Sequence, residues 1–472
     1  MSSSILWVMA PLLFGGILLL LSRYEKAVTI IGTGVSLLLA FLAWLLPIGT
    51  ALPFLPSVTL QDTLVILGRQ FILNDADRPY LILTFLLVGM WLAGSQAAHG
   101  GKLLVPIGLI VSGLLVAALA VEPPLYAAVL IEMAALICVP ALAPPGKPAS
   151  RGVLRFIAFQ TLGMPFILSS GWFLPTAVAD PFSQPILTIL VLLALGFALV
   201  AAIFPFHTWL INLVEETNPY PAAFISFLLL SNIDLFGITY INRLEWLRAF
   251  DLLYEIIRVL GCLMVFMGGL LVAFQRDLGR ILGYALLILV GISLLALSLG
   301  EPTGPIEGIT SSVGLMSIDF FIAFFIPNGL ALAVWSLGLS IIRSEVKSLA
   351  FEHVQGLAFR LPFASAGLLL ANFSLASLPL FAGFPLYLSL VSRLSANSST
   401  IAIFTALGIA GLMIAALRTM AVVFDNRGAE HPAWSFTETR LEIFFLTTGV
   451  LLLLIFGLLP QTAQTLSQIP IP

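Results

Sequence analysis

The chain has 472 residues, of which 60% are hydrophobic and 9% charged, and its mean hydropathy is +1.11. Ordinary soluble domains carry about 25% charged residues, so this composition describes an integral membrane protein with no room for a large soluble domain. A formal charge of −3 gives no basic footprint for nucleic acid, and two cysteines, Cys138 and Cys262, supply neither a disulfide framework nor a four-cysteine cluster.

At about 20 apolar residues per crossing, the hydrophobic content supplies about fourteen helices. Runs bounded by charge, proline or glycine predict them at 5–22, 27–47, 79–97, 102–120, 124–143, 152–174 and 186–206. A second set follows at 221–241, 253–274, 279–299, 318–342, 362–391, 400–424 and 441–460. The first run ends in Arg23 without a small-residue cleavage site, which reads as a retained helix rather than a signal peptide. Two spans carry breakers: 318–342 has Pro327 followed by Asn328 and Gly329, and 362–391 has Pro379 and Pro385 around Gly383. Broken helices are tolerated in a membrane where they are buried in protein or line a wet cavity, as in ion paths. A kink satisfied by a neighbouring helix is the alternative reading.

With the N-terminus outside, fourteen of the twenty Lys and Arg fall on the inner side, among them Arg23, Lys26, Lys102, Arg276, Arg280 and Arg343. The positive-inside rule therefore predicts both termini on the outer or lumenal side, the membrane being a bacterial plasma membrane or a thylakoid.

Soluble-enzyme signatures fail. Lys102 follows two glycines but precedes Leu103, so there is no P-loop, and His99, His207, His353 and His431 show no paired ligand spacing. No cofactor, metal or catalytic residue is expected in this chain. What remains is the polar content of the spans, where an ionisable group is a functional hypothesis by default. Glu132 and Asp234 sit in mid-span, and Asp319 and Glu255 lie near helix ends. A carboxyl in hydrocarbon disfavours its charged form unless a cation or water is near.

Four stretches carry a resemblance. They are Phe204–Pro205–Phe206–His207–Thr208–Trp209 followed by Glu215, Glu216, Pro219 and Pro221; Gln275–Arg276–Asp277–Leu278–Gly279–Arg280 leading to Gly283–Tyr284; Gly356–Leu357–Ala358–Phe359–Arg360–Leu361–Pro362; and Leu378–Pro379–Leu380–Phe381–Ala382–Gly383–Phe384. In this order and spacing the chain resembles the antiporter-like membrane subunits of complex I (NADH:quinone oxidoreductase), energy-converting hydrogenases and Mrp-type antiporters, over roughly 120–390. The resemblance implies an all-α polytopic fold of about fourteen transmembrane helices, with two inverted five-helix repeats and broken helices 7 and 12. The organisation would be 1–101 (helices 1–3), 102–250 (first repeat), 251–425 (second repeat) and 426–472 (helix 14). It also implies a midplane proton path in which buried lysines exchange protons under the bias of a glutamate.

Carried over residue by residue, Glu132 matches the glutamate of helix 5. The lysine of helix 7 falls on Val200, that of helix 8 on Asn232, the histidine of helix 10 on Leu289, and the ionisable residue of helix 12 on Tyr387. Lys26, Lys147 and Lys347 lie outside the predicted spans, and Lys102 is the first residue of one, at its loop end. Asp234 is no direct substitute for the lost lysine, because a two-residue offset turns it about 200° around the helix. Ser231 shares its face, and Gln160 could join Glu132 in a polar seam. His207 and Trp209 are expected to anchor at the headgroup level, and Glu215 and Glu216 to form a solvated turn. Only twelve residues follow the last span, so the long lateral helix of the terminal subunit type is not expected.

The leading expectation is a subunit that packs with other multispanning subunits and the bilayer, structural or weakly proton-conducting through Glu132, waters and hydroxyls such as Tyr387. Redox chemistry, NADH and quinone would belong to its partners. An active proton or sodium/proton translocator using Glu132 and Asp234, with Asn232 and His207 as further path candidates, is the alternative. A small-solute transporter with the proline breaks as its site comes third.

Overall fold

A computed structural model of the chain describes residues 2–52, 55–66, 68–143, 146, 148–174, 185–248, 250–300, 312–425 and 436–459. It is all-helical apart from short strands. In chain order the main helices are α1 (Ala10–Leu20), α2 (Glu25–Leu45), α3 (Arg78–Gly94), α4 (Leu104–Ala120), α5 (Ala127–Ile137), α6 (Arg151–Ser170), α7 (Pro185–Val200) and α8 (Thr208–Glu216). They continue as α9 (Pro219–Arg243), α10 (Asp251–Phe274), α11 (Leu278–Ser298), α12 (Ser312–Glu345), α13 (Pro362–Leu375), α14 (Gly383–Asn397), α15 (Ser399–Phe424) and α16 (Arg440–Leu458). Among the described residues, ten helical stretches are long and apolar enough to cross a membrane, and four further apolar helices are shorter. Most predicted runs overlap one of these helices, whereas 362–391 covers two, α13 and α14, and the short α8 lies outside every predicted run.

Helix starts follow ordinary capping chemistry. Asn218 Oδ1 accepts from Tyr220 N at 3.1 Å and Pro219 opens α9. Asp277 Oδ1 accepts from Gly279 N and Arg280 N at 2.9 and 3.1 Å to open α11. Thr439 and Glu442 form a reciprocal capping box at α16. Glu438 Oε1 accepts from Phe363 N and Ala364 N at 2.8 and 3.1 Å, tying the start of α13 to the segment before α16. Burial pushes this carboxyl above its ordinary range, against the pull of those two N–H groups.

Pro327 does not interrupt its span: α12 runs on through it, and the residues around it are packed between α9, α11 and α13. Neighbouring helices cover the kink, the alternative a proline leaves open. The segment after α2 folds into short strands. β1 (Ala51–Leu52) pairs with β2 (Leu55–Thr59), while β3 (Thr63–Ile66), β4 (Arg69–Ile72) and β5 (Val121–Glu122) form an antiparallel sheet at the end of α4. Arg78 fastens this end, donating from Nε to Ala43 O at 2.9 Å and from Nη2 to Trp44 O at 2.6 Å, so the last carbonyls of α2 are satisfied by a buried guanidinium.

The core is continuous from α3 to α16, and the outward faces of α2, α10 and α15 expose Ile30, Phe41, Val259, Leu270, Leu407 and Ile414. In a membrane such faces meet lipid or other apolar protein.

Candidate functional site

Two interruptions organise the polar interior. α7 ends at Val200 and α8 begins at Thr208, and between them Ala202 takes a left-handed backbone with φ 55°. That conformation costs a non-glycine residue about 1–2 kcal/mol, so its neighbours must hold it. Trp209 Nε1 donates to Leu199 O at 3.2 Å, and Gln160 Nε2, reaching from α6, donates to Val200 O at 3.0 Å. Carbonyls freed by the break are therefore closed by side chains, as a water-poor setting requires. His207 is buried against Phe204, their rings stacked with centroids 5.0 Å apart, and Trp209 packs on Phe156. Both rings are packed inside the protein, Trp209 against Phe156 of α6 and His207 against Phe204 within the break.

The second interruption, residues 376–382, separates α13 from α14. Ser377 and Leu380 both have left-handed backbones, with φ 63° and 84°. Leu378 N donates back to Phe373 O at 3.0 Å. Around this break the side chains are not closed. Both amide atoms of Asn372, Ser374 Oγ and the Tyr387 hydroxyl are buried without a hydrogen-bond partner among the described residues. The Tyr387 ring meets Phe324 edge-on at 5.4 Å, which links the start of α14 to α12.

The sequence-predicted residues fall in separate places. Glu132 lies on α5, half-buried, beside the exposed Met133 and Leu136, and makes no hydrogen bond or ion pair among the described residues. Gln160 spends its donor on Val200 O, so the expected seam with Glu132 does not form. Asn232, at the position of the missing lysine, is buried and closed: Nδ2 donates to Leu228 O at 2.9 Å, and Oδ1 accepts from the Tyr80 hydroxyl of α3 at 2.6 Å. Asp234, one turn beyond Ser231 on the same face, lines a cavity of about 50 Å³ with Ser293 of α11 and Asn328 of α12. Glu132, Asn232, His207 and Tyr387 are not among its lining residues. Leu289, where the family histidine would stand, forms part of its apolar wall. The side chain of Asp319 lies outside the described residues.

Sequence reasoning missed Ser293 and Asn328 as partners of Asp234. Asn328 was visible only as the neighbour of Pro327, and Ser293 stands one helical turn after Leu289, on the same face.

The first two stretches that carried the resemblance meet where the ends of several helices converge. Arg280 Nε contacts Glu215 Oε1 at 2.8 Å, Arg343 Nη1 donates to Glu215 O at 2.9 Å, and Glu216 Oε2 accepts from Gly152 N at 2.7 Å. Asn218 Nδ2 donates to His99 O at 3.0 Å, and the Ser340 hydroxyl reaches Ala98 O and Asn218. Glu215 and Glu216 are thus cross-links between α8, α6, α11 and α12, because the short α8 ends against three other helix ends. Glu216 stays exposed and Glu215 half-buried, so the turn is cross-linked while remaining accessible to solvent.

Comparison with known proteins follows this geometry. The family model for the transmembrane region of NADH:quinone oxidoreductase and Mrp antiporters matches residues 176–414, half of the chain. Subunit N of NADH-quinone oxidoreductase from Chromohalobacter salexigens is 30% identical over 196 residues, 41% of this chain and 38% of that protein. The chain therefore aligns with about two fifths of that curated relative's length. In three dimensions a chain of the Mrp complex from Dietzia superposes with a TM-score of 0.77 at 17% identity, covering 98% of this chain and 96% of that one. A chain of respiratory complex I from Thermus thermophilus superposes with a TM-score of 0.72 at 20% identity, covering 99% of each. At these identities the superpositions speak for the fold, and the family match speaks for descent. The chain belongs to the NADH:quinone oxidoreductase/Mrp antiporter transmembrane family.

Proposed function

We propose that this chain is an antiporter-like subunit of a multi-subunit membrane complex of the complex I, hydrogenase or Mrp kind, and that its role there is structural or weakly proton-conducting. The observation that carries this reading is the state of the proton-carrier positions. Val200, Asn232, Leu289 and Tyr387 bear no charge, and Asn232 is held by Tyr80 and Leu228 in a pair with no titratable proton carrier at neutral pH. In this reading the fourteen apolar helices are fourteen crossings with both termini outside. The helices of 102–250 and 251–425 are inverted repeats, each broken once, at 201–207 and 376–382. Redox cofactors, NADH and quinone sit in partner subunits. The half-buried Glu132 on an outward face suits contact with a neighbouring multispanning subunit that supplies a donor or cation, since a lone carboxyl facing lipid is costly.

The test is Glu132→Gln in the intact assembly, reconstituted in proteoliposomes. Pumping close to the unmodified complex is expected. Normal assembly with collapsed pumping favours the second reading, active translocation through Glu132 and Asp234, which has one observation behind it: Asp234 borders space large enough for water. Mass spectrometry of what co-purifies in mild detergent identifies the partners.

A further inference from the structure

The three helices around Asp234 build something that the loss of the lysines does not explain. α9 turns Ser231 and Asp234 to one side, α11 contributes Ser293, and α12 contributes Asn328, whose side chain is buried and whose Oδ1 has no hydrogen-bond partner among the described residues. The polar groups facing the cavity are a carboxyl, two hydroxyls and an amide, and the remaining wall is apolar, including Phe324 and Phe325. Ser293 stands beside the Asp234 carboxyl. No Lys, Arg, His or second acid is among the described lining residues from any of the three helices.

A carboxylate withdrawn from water needs a counter-charge, and an orphaned amide oxygen needs a donor or a cation. Hard cations take oxygen ligands of this kind, carboxylate, amide and hydroxyl or water together. The space of about 50 Å³ holds roughly three or four water-sized spheres at ~10–15 Å³ each, enough for one ion and part of its hydration shell. With a single carboxylate available, a monovalent ion gives a neutral site, whereas a divalent ion would leave buried charge uncompensated.

We propose that this cavity binds one alkali cation, held by the Asp234 carboxylate, Asn328 Oδ1 and the hydroxyl oxygens of Ser231 and Ser293, with water completing its shell. The site goes beyond the subunit reading and stands whether or not the subunit conducts.

The experiment is equilibrium binding of radiolabelled sodium to the purified full chain, or to the complex it co-purifies with, in mildly alkaline buffer with choline chloride holding the ionic strength. Saturable binding of one sodium per chain is expected, accompanied by a higher melting temperature in sodium chloride than in choline chloride. Asp234→Asn should weaken binding at least about tenfold and Ser293→Ala several-fold, while Trp172→Phe at an exposed position binds as the unmodified chain does. Absence of saturable sodium binding overturns the proposal, as does unaltered binding in Asp234→Asn. Should Asp234→Asn fail to fold, unaltered binding in both Ser293→Ala and Asn328→Leu overturns it equally. Failure here leaves the subunit reading intact, because that reading is tested by co-purification and by pumping.

Discussion

The two helix interruptions use one backbone device and reach opposite polar outcomes. At 201–207 a left-handed Ala202 ends α7, and the carbonyls of Leu199 and Val200 are closed by Trp209 and Gln160. At 376–382 left-handed Ser377 and Leu380 end α13, and Asn372, Ser374 and Tyr387 keep buried polar atoms without protein partners. The first half is not wholly closed, since Gln160 Oε1 and His207 Nδ1 are also unpartnered, but its backbone is stapled by side chains. Buried polar atoms without protein partners ordinarily take ordered water. A helix break therefore does not by itself make an ion path: what surrounds the freed groups decides whether it is dry and structural or hydrated.

Four substitutions probe this contrast, and Gly237→Ala serves as a control outside it. The largest effect belongs to Gly383→Ala. A Cβ there would lie inside van der Waals contact with Ser374 O, backbone that cannot swing aside, and Gly457 of α16 presses on Leu380 O from the other side. A loss of about 3 kcal/mol, at the upper end of overpacking costs, should appear as a large fall in melting temperature in detergent. Gly237→Ala, whose nearest neighbour is Phe197 at 3.5 Å, should be nearly neutral. If the two behave alike, the second break is loosely packed and the comparison loses its basis.

Next is Gln160→Leu, which keeps bulk but leaves Val200 O buried without its donor, at about 1–2 kcal/mol. Trp209→Phe removes only the indole donor to Leu199 O and keeps the aromatic contact with Phe156, so about 1 kcal/mol is expected in the same thermal assay. The smallest change is Tyr387→Phe. Its hydroxyl has no protein partner, so the loss should be under about 0.5 kcal/mol. A cost above that of Trp209→Phe would show that the hydroxyl is held as firmly as the first break, and would erase the difference between them.

Much of this was readable in advance because it depends on local composition. The apolar runs mark the helices, since a crossing segment must satisfy its own backbone and present apolar side chains to its surroundings. Pro219 behind Asn218, Asp277 before Gly279 and Thr439 before Glu442 mark helix starts through capping rules that act over three or four residues. Pro379, in the middle of the 376–382 interruption, and Gly383, the first residue of α14, lie where α13 gives way to α14. At Pro327 the same logic left a break and a covered kink both open, because whether a proline ends a helix or merely bends it depends on the neighbours that cover it.

Roles that depend on partners in other helices were not legible in this way. Trp209 donates to Leu199 O of α7, Glu215 pairs with Arg280 of α11, and Glu216 accepts from Gly152 N of α6, and none of these partners is announced by the residues beside them in sequence. Nothing near residue 232 announces Tyr80, 152 positions earlier, as the partner of Asn232.

By itself the sequence determined that the chain is a polytopic membrane protein, that its motifs resemble an antiporter-like family, and that no lysine stands in the middle of a predicted span. Those properties are sums over local residues and hold in any arrangement of the helices. Only the tertiary structure decided which polar groups meet: that Asn232 is closed against Tyr80, that the first break is stapled, and that Asp234 shares a cavity with Ser293 and Asn328. These meetings follow from how α3, α9, α11 and α12 pack. The pairing is set by side-chain shape and depth across helices far apart in the chain, which no window of sequence contains.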